Sequence, residues 1–337
     1  MTEKIVMTNS DEATAAIFGA FDINIRIIER SFDVRIFNRN ENSADGDAIV
    51  VSGERDKVDM AVRVLEYLKH MSGAGEIISE QSVEYVISLV RDNCDESPED
   101  LGRDVICVTN RGKPIKAKTI GQKKYVDTIK KNTVILGLGP AGTGKTFLAV
   151  AMAVEALRNK SVNRIILTRP AVEAGERLGF LPGDLQSKID PYLRPLYDAL
   201  FEMLGAENYQ RHMERGTIEI APLAYMRGRT LDDSFIILDE AQNTTPEQMK
   251  MFLTRLGYNS KAVVTGDLSQ TDLPFGKKSG LSIAARILRN IEGIGIFEFS
   301  ERDVVRHHLV RKIISAYEGY ERERANSKFS AEQKKKV

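Results

Sequence analysis

Residues 139–146 read G-P-A-G-T-G-K-T, and this stretch decides the fold. An apolar run, V-I-L-G-L at 134–138, precedes it, and a run of helix formers, F-L-A-V-A-M-A at 147–153, follows it. A strand, a glycine-rich loop and a helix in this order are the context of the phosphate-binding P-loop, G-x-x-x-x-G-K-[ST]. A chance glycine-rich turn is the alternative, but it leaves the complete motif and both flanks unexplained.

The motif predicts a role for each of its residues. Glycines can adopt backbone angles that other residues avoid, so that successive N–H groups converge on a phosphate at a helix N-terminus. Lys145 would reach the β- and γ-phosphates of a nucleotide, and the Thr146 hydroxyl would bind Mg²⁺. The predicted nucleotide-binding residues are Gly139, Pro140, Ala141, Gly142, Thr143, Gly144, Lys145 and Thr146.

A second motif is expected to bring carboxylates to the same edge of the sheet. Residues 235–239 read F-I-I-L-D, and Glu240 follows, which is typical of a buried parallel strand that ends in two acids. In a P-loop enzyme Asp239 would hold Mg²⁺, and Glu240 would orient and deprotonate the attacking water. By itself this run is equally compatible with a strand end that carries two exposed acids. The P-loop upstream favours the catalytic interpretation.

A third apolar strand, A-V-V-T-G at 262–266, ends in polar residues that include Gln270. The strand is expected to end beside the γ-phosphate, where the Gln270 amide would bind the phosphate or the water and sense hydrolysis. Three such strands with helices between them predict an α/β fold with a doubly wound, mostly parallel sheet.

Gln122 lies upstream of the P-loop, in T-I-G-Q at 119–122. In superfamily 1 helicases a glutamine at about this offset reads the adenine edge, because one amide can pair with both N6 and N7. A solvated helix cap is the alternative interpretation.

A small α/β module precedes the P-loop core. Apolar residues recur at helical spacing over 17–32 and over 58–68, and two strand-like runs lie between these segments. This order resembles the core of a KH domain, in which a G-x-x-G loop clamps a nucleic-acid backbone. Residues 19–22 read G-A-F-D, so that Asp22 would set a carboxylate against phosphate. The alternative is an α/β assembly domain that contacts only protein.

These observations predict four segments along the chain. They are a KH-like domain with a degenerate loop (1–71), a linker with a helix at 80–91 and a β-hairpin around 110–114 (72–118), a P-loop domain (119–320), and a charged, disordered tail (321–337).

Composition excludes several classes of protein. The 337 residues are 42% hydrophobic and 28% charged, and Lys+Arg and Asp+Glu both number 48, so net charge does not indicate a nucleic-acid partner. Cys94 and Cys107 are too few for a disulfide framework. Because neither a signal peptide nor a membrane-spanning run is evident, we expect a cytoplasmic protein.

Six motifs together resemble the PhoH-like family of cytoplasmic ATPases, over about residues 119–317. They are the P-loop, T-R-P-A at 168–171, R-G-R-T-L at 227–231, I-L-D-E-A-Q-N at 237–243, T-G-D-L-S-Q-T-D-L-P at 265–274 and D-V-V-R-H at 303–307. The resemblance implies a RecA-like core related to superfamily 1 helicases, with ATP and Mg²⁺ as cofactors. It also implies a role in RNA metabolism, beside ribosome-maturation and RNA-cleaving proteins.

By match of motif, the family's catalytic roles fall on four residues of this chain. The resemblance assigns phosphate binding to Lys145, water activation to Glu240 and sensing to Gln270, and it implies that Arg306 is an arginine finger. From Gln122 to Tyr317 the chain has about 200 residues, enough for one RecA-like core. A neighbouring subunit would then supply the finger, and we expect a head-to-tail homo-oligomer or ring.

Three functions fit these residues. The first is an oligomeric, Mg²⁺-dependent ATPase that remodels RNA or an RNA–protein complex. The second is an ATP-dependent switch that binds a protein partner, such as a ribonuclease, without unwinding RNA. The third, a small-molecule kinase, is disfavoured because Glu240 directly after Asp239 suits the activation of water. RNA-stimulated turnover would separate the first two.

Overall fold

The computed structural model describes residues 1–8, 10–39, 47–91, 104–170, 185–274 and 276–305, with only the backbone at 185–192 and with isolated helical positions between 309 and 317. Met1–Val304 form one compact unit, and Val305–Val337 form a second. The predicted arginine finger, Arg306, lies outside the described residues, as does the whole of the predicted tail.

The N-terminal part of the described chain is a three-stranded antiparallel sheet with helices packed on one face. Its elements are β1 (Thr2–Met7), α1 (Asp11–Phe18), α2 (Ile23–Phe32), β2 (Arg35–Arg39), β3 (Ala48–Gly53), α3 (Arg55–Gly73) and α4 (Glu80–Arg91). The strands pair in the order β1-β3-β2. Val6, Ile36, Ile49 and Val51 face the helices and form a buried core with them.

The structure differs from the predictions for this region at two points. Apolar spacing predicts one helix over 17–32, but the structure has α1 and α2, separated by a 3₁₀ turn at Ala20–Asp22, where the KH-like interpretation expects a loop. The helix breaks because Gly19, Phe21 and Asp22 have φ values of 73°, 54° and 58°, in the left-handed region. Strand β1 was not predicted, since Val6 is its one strongly buried residue.

Helix α4, which the sequence assigns to a linker, packs into the N-terminal core. Val83, Val86, Ile87 and Val90 are buried there, at the spacing of one helix face. The predicted boundary at residue 71 falls inside α3, which continues to Gly73. We therefore place the end of the N-terminal part after α4.

The remaining described chain is a doubly wound α/β unit, as predicted. Its elements are the predicted hairpin β4 (Val105–Val108) and β5 (Pro114–Lys116), then α5 (Ile120–Lys131), β6 (Val134–Leu138), α6 (Lys145–Arg158), β7 (Arg164–Arg169), α7 (Leu185–Leu204), α8 (Ala206–Glu214), β8 (Ile218–Pro222), β9 (Ser234–Leu238), α9 (Pro246–Leu253), β10 (Lys261–Gly266), α10 (Gly280–Ile287) and β11 (Ile294–Glu298).

Six of these strands form one parallel sheet in the order β11-β6-β10-β9-β7-β8. One apolar layer joins the sheet to α5, α6 and α7, and a second joins the opposite face to α9 and α10. Because both faces are covered, the strands read as continuous apolar runs. Among the described residues we find no helix with the length and apolar character needed to cross a membrane.

Tyr125 of α5 lies against β6, directly below the P-loop. Its ring is fully buried and packs edge-on against Phe299. A Cβ atom on Gly137 would lie 2.7 Å from this ring, so glycine at 137 is what lets the ring lie against the strand. Burial, and secondly the charge of Asp239, raise the pKa of Tyr125, and its hydroxyl therefore stays protonated.

Replacing Gly137 with alanine should destabilise the protein by about 1–3 kcal/mol, because the new methyl group would overlap the buried Tyr125 ring. Urea unfolding followed by circular dichroism measures the change. Gly73→Ala is the matched control, since nothing lies within 4 Å of its Cβ position at the end of α3. It should be neutral or slightly stabilising. Equal stability of Gly137→Ala and wild type would contradict the packing argument.

Candidate nucleotide-binding site

The P-loop joins β6 to α6 in the predicted strand, loop and helix context. Gly139, Gly142 and Gly144 have φ values of 141°, 88° and 81°, which only glycine adopts without strain. A Cβ atom on Gly139 would also lie 2.7 Å from Phe299. The loop therefore combines unusual backbone angles with close packing, and its N–H groups lie at the N-terminus of α6.

Lys145 lies across this loop. Its ammonium group donates hydrogen bonds to the carbonyl oxygens of Gly139 at 2.7 Å and Pro140 at 2.8 Å. The side chain is 8% exposed, so its charge is held at the loop and away from bulk solvent. A phosphate bound by the loop would therefore lie close to this positive charge.

Asp239 follows β9 and is 6% exposed. One of its carboxylate oxygens, Oδ1, accepts hydrogen bonds from the Thr146 hydroxyl at 2.6 Å and the Thr265 hydroxyl at 2.8 Å. The predicted Mg²⁺ residues, Thr146 and Asp239, are thus in direct contact. Among the described residues, no group of three or more His, Cys, Asp or Glu side chains could hold a metal.

Glu240 has a φ of 52°, and this left-handed backbone turns its side chain toward the neighbouring strand β7. Its Oε1 lies 3.2 Å from a guanidinium nitrogen of Arg169, the last residue of β7. Its Oε2 accepts a hydrogen bond from the Gln242 amide at 2.5 Å. Both carboxylate oxygens therefore have partners in the protein. Neither partner was predicted.

The three predicted motifs meet at one cavity of about 260 Å³. The P-loop, Asp239, Glu240 and Gln270 all line it, together with Gly266 and Asp267. Asp267 binds the backbone N–H of Ser269 through Oδ1, which shapes the turn that leads to Gln270. The cavity therefore presents backbone N–H groups, one ammonium and the three carboxylates of Asp239, Glu240 and Asp267 at the carboxyl edge of a parallel sheet.

Gln122 is 4% exposed, which excludes the solvated cap. Its Nε2 donates to the carbonyl oxygen of Thr143 in the P-loop at 3.1 Å, and its Oε1 accepts from the Lys118 N–H at 2.7 Å. Gln122 therefore ties the start of α5 to the P-loop.

Sequence reasoning missed Asp303, which is 6% exposed. Its Oδ1 accepts from the Thr119 hydroxyl at 2.8 Å, and its Oδ2 accepts from the backbone N–H and the hydroxyl of Ser300 at 3.0 Å. A Cβ atom on Gly121 would lie 2.2 Å from Asp303 Oδ1, which explains the glycine of T-I-G-Q. The S-x-x-D pattern at 300–303 is a capping box and was the available signal.

The two arginines of R-G-R-T-L do not line this cavity. Arg229 forms a two-bonded ion pair with Glu219 at 2.6 and 2.7 Å, and these hydrogen bonds raise the pKa of Arg229. Arg227 is exposed. The structure therefore supports a packing role for Arg229.

Comparisons with known proteins identify a family and relatives that cover most of this chain. A family model described as PhoH-like protein matches residues 114–318. A PhoH-like protein of Bacillus subtilis (strain 168) is 53% identical over 323 residues, 94% of this chain and 99% of that protein. A PhoH-like protein of Mycobacterium tuberculosis (strain ATCC 25618 / H37Rv) is 52% identical over 311 residues, which cover 92% of this chain and 86% of that protein. Protein PhoH of Escherichia coli (strain K12) is 50% identical over 206 residues, which cover 60% of this chain and 58% of that protein.

Replacing Asp303 with asparagine should destabilise the protein by about 1.5–3 kcal/mol, because an amide cannot accept all the hydrogen bonds that reach this buried carboxylate. The midpoint of urea unfolding measures the loss. Asp104→Asn is the control, since its contact with Lys123 is exposed and 3.4 Å long, and it should change stability by less than about 0.5 kcal/mol. Equal effects of the two substitutions would refute this role of Asp303.

Proposed function

The chain belongs to the family of PhoH-like proteins, and from this premise we propose that it binds ATP with Mg²⁺, hydrolyses it, and uses hydrolysis to remodel RNA or an RNA–protein complex. The observation that carries the proposal is the convergence of the P-loop, Asp239, Glu240 and Gln270 on one cavity. A phosphate chain in the P-loop would lie between the Lys145 ammonium and the carboxylates of Asp239 and Glu240.

The donor set fits Mg²⁺. In P-loop enzymes this ion is held by the hydroxyl of the loop, an aspartate and substrate phosphates, with waters completing its shell, and Thr146 and Asp239 supply the first two in direct contact. When bound, Mg²⁺ would neutralise charge on the β- and γ-phosphates. The second hydroxyl, from Thr265, fixes the orientation of the Asp239 carboxylate.

Hydrolysis would proceed by attack of water on the γ-phosphorus. The water oxygen bonds to phosphorus as the bond to the β–γ bridging oxygen breaks, which yields ADP and inorganic phosphate. Glu240 accepts the proton that the water loses. Lys145 moves from the loop carbonyls to the phosphates, and Gln270 binds the γ-phosphate or the water.

Gln122 supports adenine as the base. Each of its amide atoms has one protein partner, which leaves one N–H and one oxygen lone pair for an adenine edge. The same amide holds the P-loop through Thr143, so base and phosphate binding would be coupled through a single side chain.

The N-terminal part supports an RNA partner. Its element order, with a short loop between α1 and α2, fits the KH-like interpretation. Four arginines on α2 and β2 are exposed and would favour phosphate: Arg26, Arg30, Arg35 and Arg39. The negative charge of Asp22 disfavours phosphate binding at the loop. Phe21 is 91% exposed, which suits a contact with a protein. These two residues favour the second candidate function, an ATP-dependent switch that binds a protein partner.

We propose that the protein acts as a head-to-tail homo-oligomer in the cytoplasm. The family match at 114–318 spans one P-loop unit. Helicase-type motors close ATP between two such units, with an arginine from the second. A neighbouring copy would supply it here, and Arg306 is the candidate.

Glu240→Gln should lower the ATPase kcat by about 10²–10⁴-fold and leave ATP binding intact, because the amide keeps the shape but cannot accept the proton. Steady-state phosphate release, measured with and without single-stranded and structured RNA, tests this. Glu292→Gln, which changes an exposed acid, is the control and should match wild type.

RNA stimulation that rises with protein concentration and disappears in Glu240→Gln is the result expected of an oligomeric, RNA-coupled ATPase. Turnover that ignores RNA would refute RNA coupling and favour the partner-binding switch. Phosphate transfer to a metabolite, with no free phosphate released, would refute ATP hydrolysis.

Asp22→Gly should tighten binding of single-stranded RNA by about two- to fivefold, because it removes a negative charge from the loop that would face phosphate. Fluorescence anisotropy with a labelled oligonucleotide measures the change. Asp33→Gly is the matched control: Asp33 also has a left-handed φ, 55°, but it lies at the opposite end of α2. Equal affinities for the two variants would exclude the loop from RNA binding.

A further inference from the structure

One ion pair includes Glu240, which lines the cavity, and the reaction described above does not use it. Arg169 contacts Glu240 Oε1 at 3.2 Å, and their side chains are 21% and 37% exposed. The contact follows from strand register, because Thr168 pairs with Leu238 and the next residues, Arg169 and Asp239, are neighbours. The pair is therefore built into the sheet edge and is not a chance surface contact.

The second carboxylate oxygen of Glu240 also has a partner in the protein. Gln242 donates to Oε2, and its own Oε1 accepts the backbone N–H of Asp267 at 3.1 Å. Gln242 is 1% exposed, and the absence of a side chain at Gly266 makes room for it, since a Cβ atom there would lie 2.7 Å from Gln242 Oε1. Glu240 is thus fixed between β7 on one side and the end of β10 on the other.

This arrangement engages both oxygens that a general base needs, through one partner on each. A carboxylate oxygen that accepts from a guanidinium has less capacity to accept from water. Of the two partners, Gln242 is enclosed, whereas Arg169 ends a strand and is partly exposed. Arg169 is therefore the partner able to leave.

We propose that Arg169 is a positioning residue that holds Glu240 away from the attacking water, and that hydrolysis requires this ion pair to open. The inference rests on the proposed ATPase function and deepens it. Arg169 would limit ATP turnover when RNA is absent. An event that draws its guanidinium to another anion would release Glu240.

The experiment compares wild type with Arg169→Ala in the absence of RNA. The kcat should rise about two- to fivefold, which is what loss of a partly exposed ion pair allows. KM and the affinity for a fluorescent ATP analogue should stay within about twofold, because Arg169 holds the base and not the nucleotide. Arg169→Lys should lie between the two proteins, since it keeps the charge but not the planar fork.

Two further measurements separate positioning from general structural effects. Raising salt from about 50 to about 500 mM should increase the wild-type kcat more than that of Arg169→Ala, because salt screens the ion pair. Arg164→Ala, at the other end of β7, contacts the Asp232 carbonyl and should match wild type in kcat and salt response. Arg169→Gln keeps most of the side-chain volume and replaces Arg169→Ala if the latter fails to fold.

Other outcomes overturn the inference in distinguishable ways. An unchanged kcat in Arg169→Ala would show that Arg169 does not restrain Glu240, while the ATPase function stands. A tenfold or larger fall would make Arg169 a direct stabiliser of the reacting phosphate. If neither wild type nor variant exceeds the Glu240→Gln background, the proposed function fails, and this inference fails with it.

Discussion

The parallel register of four neighbouring strands is the constraint on which the site depends. At one level of the sheet, Gly137 of β6 lies beside Thr265 of β10, then Asp239 after β9, then Arg169 of β7. All four face the side that carries the P-loop helix, because side chains alternate along a strand. A slip of one residue would turn Asp239 into the opposite layer and separate it from Thr146.

The same constraint explains why acidic groups can lie inside an apolar unit. Asp239 is accepted at 6% exposure because two hydroxyls bind one of its oxygens. Glu240, one residue further on, leaves the sheet through a left-handed turn, and β7 supplies its counter-charge. Adjacent residues thus acquire different environments from a single change of backbone angle, one suited to a metal and one to a proton.

The sequence predicts which residues carry the chemistry of this site better than it predicts the contacts between them. The P-loop, Asp239 and Glu240 are identified because motif and secondary structure occur together over a short span of sequence. The Arg169–Glu240 pair depends on the pairing of strands about 70 residues apart, which no local pattern encodes. The break between α1 and α2 depends on left-handed angles at Phe21 and Asp22, and phenylalanine rarely adopts such angles.

The fold class and the P-loop core were predictable for a related reason. Buried parallel strands are continuous apolar runs, so β6, β9 and β10 are visible in the sequence. Strand β1 lies at the edge of a small sheet and buries one side chain strongly, which gives it a weak signal. Helix α4 was recognised as a helix, but its packing partner depends on the N-terminal core as a whole.

The first turn of α5 forms hydrogen bonds with the N-terminal part, with Asp303 and with the P-loop. The N–H of Ile120 donates to the Tyr85 hydroxyl of α4 at 2.7 Å, Thr119 binds Asp303, and Gln122 binds the P-loop through Thr143. A displacement of α4 would therefore act on the helix end that supports the phosphate-binding loop. Helix α4 and the phosphate-binding loop are therefore attached by hydrogen bonds to the same turn of one helix.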